Sequence, residues 1–272
     1  MPPILLHAVA AILYGALALH FWRTRWRGAG GASIEAWERG AILAPLLIHT
    51  WLVYDMLLNA PELRFGFGQA LSVMLWLTVL LYWIESLFFR LEGMQPLVLS
   101  LAALCVPLPL LFPGLAIGVP TRSLEFRLHL MLGMSAYSLF MIAALHALLM
   151  TLLERRLHGG ALSAPLSALP PLLTMESLLF RIILAGFVLL TLTLATGIAF
   201  SETLFGRPLR FEHKSLFAIL SWMIFAALLA GRRLYGWRGR TALRWTLAGF
   251  VTLLLAYVGS RFVLEVILRR GL

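Results

Sequence analysis

The chain of 272 residues is 61% hydrophobic and only 12% charged, with a formal net charge of +10 carried mainly by arginine. Soluble domains carry about 25% charged residues, so the solvent for most of this chain is lipid. The arginines stand at the ends of apolar runs, which points to anionic headgroups and away from nucleic acid, and the single cysteine, Cys105, excludes an internal disulfide, a CxxC pair and a CxxCH attachment site.

Apolar segments fall at about 3–22, 40–58, 66–89, 95–118, 128–153, 178–201, 214–231 and 243–268. Each is near the ~20 residues that span ~30 Å of hydrocarbon. They predict an all-α polytopic membrane bundle of about eight transmembrane helices, one integral membrane domain over 1–272. The first segment ends near Ala16-Leu17-Ala18, a small-x-small pattern like a signal-peptide cleavage site. No positive charge precedes it, however, and Arg23, Arg25 and Arg27 follow it. That polarity is the reverse of a signal peptide and predicts a retained helix with its N-terminus outside. The fourth segment carries Pro107, Pro109, Pro113 and Gly114, so it is expected to kink or end early. The linker at about 154–177 holds Gly159, Gly160, Pro165, Pro170 and Pro171 and reads as a hinge between five helices and three.

With the N-terminus outside, the inner loops hold Arg23, Arg25, Arg27, Arg39, Arg90, Arg155, Arg156, Arg232, Arg233, Arg238, Arg240 and Arg244. The outer side holds Arg64, Arg122, Arg127, Arg207, Arg210, Lys214, Arg269 and Arg270. This bias predicts both termini outside. On the same map His7, His129 and His213 fall toward the outer face, His49 near mid-membrane, and His20, His146 and His158 toward the inner face. Cys105 reads as a small apolar filler.

Ionisable groups inside spans are costly and mark pairs or sites. Arg261 and Glu265 are four apart and share a helix face, so they are expected to pair, as are Glu85 and Arg181 near the inner face. His49, flanked by Trp51 and Tyr54, needs a polar partner. Asp55 lies six residues beyond it, on the opposite face, so the two are no dyad. No nucleophile elbow, Walker A loop, HExxH or convincing carboxylate pair is present, and a non-enzymatic role is expected. The run Gly231–Arg240 lacks the strand and the Lys-Ser/Thr ending of a phosphate loop, and reads as an interfacial anchor built on Trp237 and arginines. His129 and His213 each open a helix on the same side, and a boundary imidazole can hold haem iron.

The stretch Ala218–Gly239, with Trp222, Phe225, Arg232 and Gly236-Trp237-Arg238-Gly239, resembles the helix after the periplasmic loop of the cytochrome c assembly (CcsA/CcmC/CcmF) superfamily. His129-Leu-Met-Leu-Gly-Met-Ser-Ala-Tyr137 resembles that family's periplasmic-histidine helix, and Gly249-Phe250 to Tyr257-Val258-Gly259 its final helix. The resemblance covers about 128–262, and the layout is most similar to the HemX/YpjD-type branch. Where the family has a Trp-x-Trp-Asp-Pro-Lys-Glu run, this chain has Phe211-Glu212-His213-Lys214-Ser215, with no tryptophan in 201–214. A second transmembrane histidine of the family is replaced by Ala230, and its second periplasmic histidine is missing.

The resemblance implies an inner-membrane haem-binding protein with an accessory or assembly role in cytochrome c biogenesis, located in the bacterial cytoplasmic membrane. Its partners would be haem, other assembly proteins and membrane lipid. His129 transfers from the family as a haem ligand. His213 is assigned from position and chemistry as the second axial ligand of a haem b, with Tyr137 two turns deeper on the His129 helix. The alternatives are a regulatory or scaffold subunit with a decayed haem site, and a small-solute transporter built on His49 and the broken fourth helix.

Overall fold

A computed structural model describes residues 3–27, 35–59, 63–89, 93–116, 123–158, 172–200 and 213–268. The glycine- and proline-bearing part of the 154–177 linker and the loop 201–212 lie outside the described residues. So do Arg90, Arg122, Arg269 and Arg270.

The described residues are helical throughout their apolar stretches, and the backbone pairing outside helices is a single bridge, Arg64 with Ala116. In chain order α1 is Pro3–Phe21, running into a π-helical turn Trp22–Arg27. α2 is Ala36–Tyr54, running into a π turn Asp55–Asn59, and α3 is Phe67–Glu85. α4 is Gln95–Cys105 and α5 Leu108–Leu111; α6 is Leu124–His158, α7 Leu172–Ala199 and α8 His213–Tyr235. α9 is Gly239–Leu254 and continues through a π turn, Leu255–Gly259, to Ile267. Among the described residues seven helices are long and apolar enough to cross a membrane, and Gln95–Leu111 is a shorter apolar helix.

That shorter segment is the one the prolines mark. The chain breaks between α4 and α5 because Pro107 has no N–H to continue the ladder, and Leu110 N donates to Pro107 O instead. It crosses the bundle nonetheless. Trp26 Nε1 donates to Gly93 O at its start, near the end of α1. At its finish Phe65 N donates to Leu115 O (3.0 Å) and Gln69 Nε2 to Phe112 O (3.0 Å), beside the start of α3. Among the described residues seven full-length spans and this shorter, broken segment therefore stand where the sequence predicts about eight spanning helices.

The crossings sort every connection to one of two ends. Pro3, Asp55 and Arg64 share one cavity, Leu63 packs on Phe126 and Phe200, and the Tyr257 ring lies tilted against Phe65. The start of α1 and the far end of the last helix therefore lie at the same end as the starts of α6 and α8. The opposite end gathers Arg25, Glu38, Glu154, Glu176 and Arg232.

The core sits around α6. A helix apolar all round is a buried one, and Ala136, Phe140, Ala143, His146 and Ala147 of α6 have no exposed surface. At its middle Phe140 stacks on Phe225 of α8 with ring centroids 3.8 Å apart. Gly186 of α7 and Gly249 of α9 seat this pair: a Cβ on Gly249 would come within 2.8 Å of Phe225, and one on Gly186 within 3.1 Å of Phe140. The absent side chains let four helices close on two rings, a contact worth about 0.5–1.5 kcal/mol beyond area burial. Cys105 is buried and free in α4, as its filler reading requires.

Candidate functional site

His129 is half-buried and turned toward α7, where its Nδ1 lies 3.0 Å from Thr196 Oγ1. The Thr196 hydroxyl has its own proton directed back at its helix, to Leu192 O (2.9 Å) or Thr193 O (3.0 Å). Its lone pair is then what faces the imidazole, so Nδ1–H donates and Nε2 keeps its lone pair. A ring in that tautomer, with one nitrogen anchored and the other free, has the form of a metal-ligating histidine. Gly197 lets the ring lie close: a Cβ there would be 3.3 Å from His129 Cε1.

His213 is the first residue of α8 and is exposed. Its depth relative to His129 can be read from the stacked phenylalanines. The His129–Thr196 contact and the Arg232–Glu176 ion pair make α7 antiparallel to both α6 and α8, so α6 and α8 run parallel. His129 precedes Phe140 by 11 residues and His213 precedes Phe225 by 12. At 1.5 Å per residue both stand about 17–18 Å from the same ring pair, at the same end. Lys214 follows His213 and Phe200 ends α7 there, each with partners of its own.

Tyr137 has a different neighbourhood. Its hydroxyl donates to Leu253 O of α9 (2.8 Å), next to the π turn that interrupts the ladder of that helix. The residue is buried and ties α6 to α9, while His129 faces α7. The structure does not bring these two side chains together.

His7, His20, His49 and His146 have structural partners. His49 is fully enclosed, with Nε2 3.0 Å from Ser72 Oγ and Nδ1 3.4 Å from the Tyr14 hydroxyl, so it joins α1, α2 and α3. His7 Nδ1 donates to Val106 O (2.6 Å), a carbonyl released by the α4–α5 break. His20 Nε2 meets Glu38 Oε1 (2.8 Å), whose second oxygen takes Arg25. His146 lies at the far end of α6, beside Glu85. His158 ends α6.

Two expected ion pairs are not formed. The Arg261 guanidinium lies over the Tyr257 ring, 5.6 Å from its centroid, while the Glu265 carboxylate points at Gly66, the residue that opens α3. A helix N-terminus attracts an anion, which accounts for the carboxylate turning away from its own helix. Arg181 is exposed on α7, and Glu85 faces His146 instead.

The Gly231–Arg240 run forms a built turn. Gly236 and Gly239 adopt positive φ (65° and 51°), which side-chain-bearing residues resist. Glu176 of α7 accepts from Arg232 (2.6 Å) and from Gly239 N (3.2 Å), and Trp237 lies across Gly231. Sequence reasoning marked this turn but missed Glu176, because nothing in a single sequence says which helix lies beside it.

A cavity of about 200 Å³ opens at the His129 end between α1, α2, α3 and α5, with His7, Asp55, Arg64 and Ser72 in its wall. It lies apart from the Thr196 side of α6 and is smaller than the ~300–1,000 Å³ of drug-sized ligand sites.

Residues 41–268 match the cytochrome c assembly protein family. The inner membrane protein YpjD of Escherichia coli (strain K12) is 34% identical over 172 residues, 63% of this chain and 64% of that protein. The cytochrome c biogenesis protein CcsA of Prochlorococcus marinus (strain MIT 9515) is 37% identical over 89 residues, 33% of this chain and 28% of that protein. The chain thus spans just under two thirds of the first of these relatives and less than a third of the second.

Proposed function

The chain belongs to the cytochrome c assembly family, and on that premise we propose that it is a haem-binding protein of the bacterial inner membrane with an accessory or assembly role in cytochrome c biogenesis. The observation that carries this reading is the 3.0 Å contact of His129 Nδ1 with Thr196 Oγ1, which orients the ring and leaves Nε2 available as a ligand. His129 and His213, level with each other on parallel helices, would be the residues that hold a haem b. When bound, the haem would supply an iron centre able to cycle between ferrous and ferric states. The protein's own residues bind and orient. Thr196 fixes the ring, Gly197 gives it room, and Tyr137 keeps α6 against α9 behind it. No bond-making step is assigned to the chain. Its partners in this reading are haem, other assembly proteins and membrane lipid.

Titration of the detergent-purified full chain with ferric haem, followed by absorbance, tests the proposal. Thr196→Val keeps the shape but removes the acceptor, and should weaken binding roughly 10–100-fold, the usual effect of losing an outer-shell partner. His129→Ala should weaken it further. Wild-type affinity in His129→Ala would defeat the reading.

The cavity beside the α4–α5 break supports a second reading, a path for a small solute entering from the His129 end beside a broken helix. It rests on one broken helix with no matching break elsewhere among the described spans. Solute flux into liposomes that persists in His129→Ala, His213→Ala protein would favour it.

A further inference from the structure

At the Arg232 end of the bundle, Glu85 ends α3 and faces His146 of α6. The His146 ring has no exposed surface. Its Nδ1–H donates to Ile142 O (3.0 Å), one turn back on its own helix. That leaves Nε2 as a bare lone pair, 3.6 Å from Glu85 Oε1. Nε2 and Glu85 Oε2 are both buried without a hydrogen-bond partner. Acceptor atoms thus confront one another with no donor between them.

The surrounding charges do not resolve this. Glu176 holds Arg232, Glu154 holds Arg240, and Glu38 holds Arg25 and His20. Arg181, the partner expected from sequence, is exposed. Arg39 of α2 is held nearby through its carbonyl, which takes Trp83 Nε1–H (3.1 Å), and its buried Nε has no hydrogen-bond partner, so it donates to neither Glu85 oxygen. Tyr82, one turn earlier on α3, is buried and has a partner. Among the described residues no group of three or more His, Cys, Asp or Glu side chains could hold a metal ion. A bare carboxylate in such a place carries a desolvation cost of several kcal/mol.

We infer that Glu85 and His146 form a proton-binding site inside the bundle, with one proton held on the Glu85 carboxyl and directed at His146 Nε2. The proton supplies the missing donor and removes the buried charge at once. Moving it from Oε1 to Nε2 would turn a neutral pair into carboxylate and imidazolium, with no electron or further group needed. The observed 3.6 Å separation is longer than a hydrogen bond of 2.7–3.2 Å, so a small approach of α3 to α6 would close the contact. His146 lies on the same helix as His129, 17 residues further on and so about 25 Å away. The pair is independent of haem.

Infrared spectroscopy of the full chain in lipid nanodiscs, with and without ¹³C-labelled glutamate, tests this at neutral pH. A protonated-carboxyl C=O band should appear, shift with the label and disappear in Glu85→Gln. The Gln amide also offers one donor and one acceptor, so this variant should fold to the wild-type yield. His146→Leu, which removes the acceptor, should move the same band to the frequency of a free carboxyl, a readout available even if Glu85→Gln folds poorly. Nitrogen NMR of labelled His146 should show a neutral Nδ1–H ring. No labelled band that responds to either replacement, or an imidazolium at His146, would overturn the inference.

Discussion

Single polar atoms decide much of how this lipid-solvated chain packs. His49 was expected to need a partner, and it has two, Ser72 and Tyr14, on separate helices. Tyr137 binds the Leu253 carbonyl, and Ser221 donates to Gly249 O (2.9 Å). Hydrogen bonds between membrane helices are worth about 0.6 kcal/mol on average and up to about 1.7 kcal/mol. Tyr137→Phe should therefore lower stability by about 1 kcal/mol in detergent unfolding, and leave the haem titration of His129 unchanged. A changed haem affinity with unchanged stability would place Tyr137 at the ligand instead of at the α6–α9 contact. The need for partners was legible in the residues themselves. Their identity was not: a sequence shows neighbours four apart on one helix, as with Arg261 and Glu265, but not that the Glu265 carboxylate turns to Gly66 at the start of α3 while Arg261 lies over Tyr257 of its own helix.

Helices and turns were legible to the extent that they obey local rules. Apolar length marked the spans, and Pro107 marked the break between α4 and α5. Close packing was hidden, because a glycine read alone does not say which ring will rest on it. Gly249→Ala puts a Cβ within 2.8 Å of Phe225. Overpacking of this kind costs about 1–3 kcal/mol, and Phe225→Leu in the same chain should recover part of that loss, as read by thermal unfolding. At the α8–α9 turn, Glu176→Ala would leave the Arg232 guanidinium and the Gly239 N–H without their shared acceptor. Breaking a largely buried pair from one side costs about 3 kcal/mol. The variant should show lower folded yield and faster proteolysis at 231–240, whereas Glu154→Ala, whose partner Arg240 is mostly exposed, should do neither. Equal behaviour of the two variants would mean that Glu176 does not clasp the turn.

Across the described residues, seven spans and the shorter α4–α5 segment bring the first and last helical residues to one end, together with His129 and His213. From the arginine bias we propose that this end is the outside. Reporter fusions in the 23–39 loop and in the 154–177 linker should therefore read as cytoplasmic, and a periplasmic signal from either would invert the map. Fold class was legible because composition and the cost of unsatisfied backbone in lipid leave helices as the only solution for such segments, whereas the proline-broken fourth segment is shorter than the full span expected of it. The candidate site was legible only in part: His129 stood out by position and resemblance, whereas Thr196 looked like any threonine in an apolar run. The measurement that bears most directly on the site is electron paramagnetic resonance of the haem-loaded chain, compared across single and double histidine variants. Two neutral imidazoles should give a low-spin ferric signal in the wild type. A five-coordinate high-spin signal is expected in His129→Ala or His213→Ala, and no bound haem in the double variant. A low-spin signal that survives the double replacement would contradict ligation by His129 and His213.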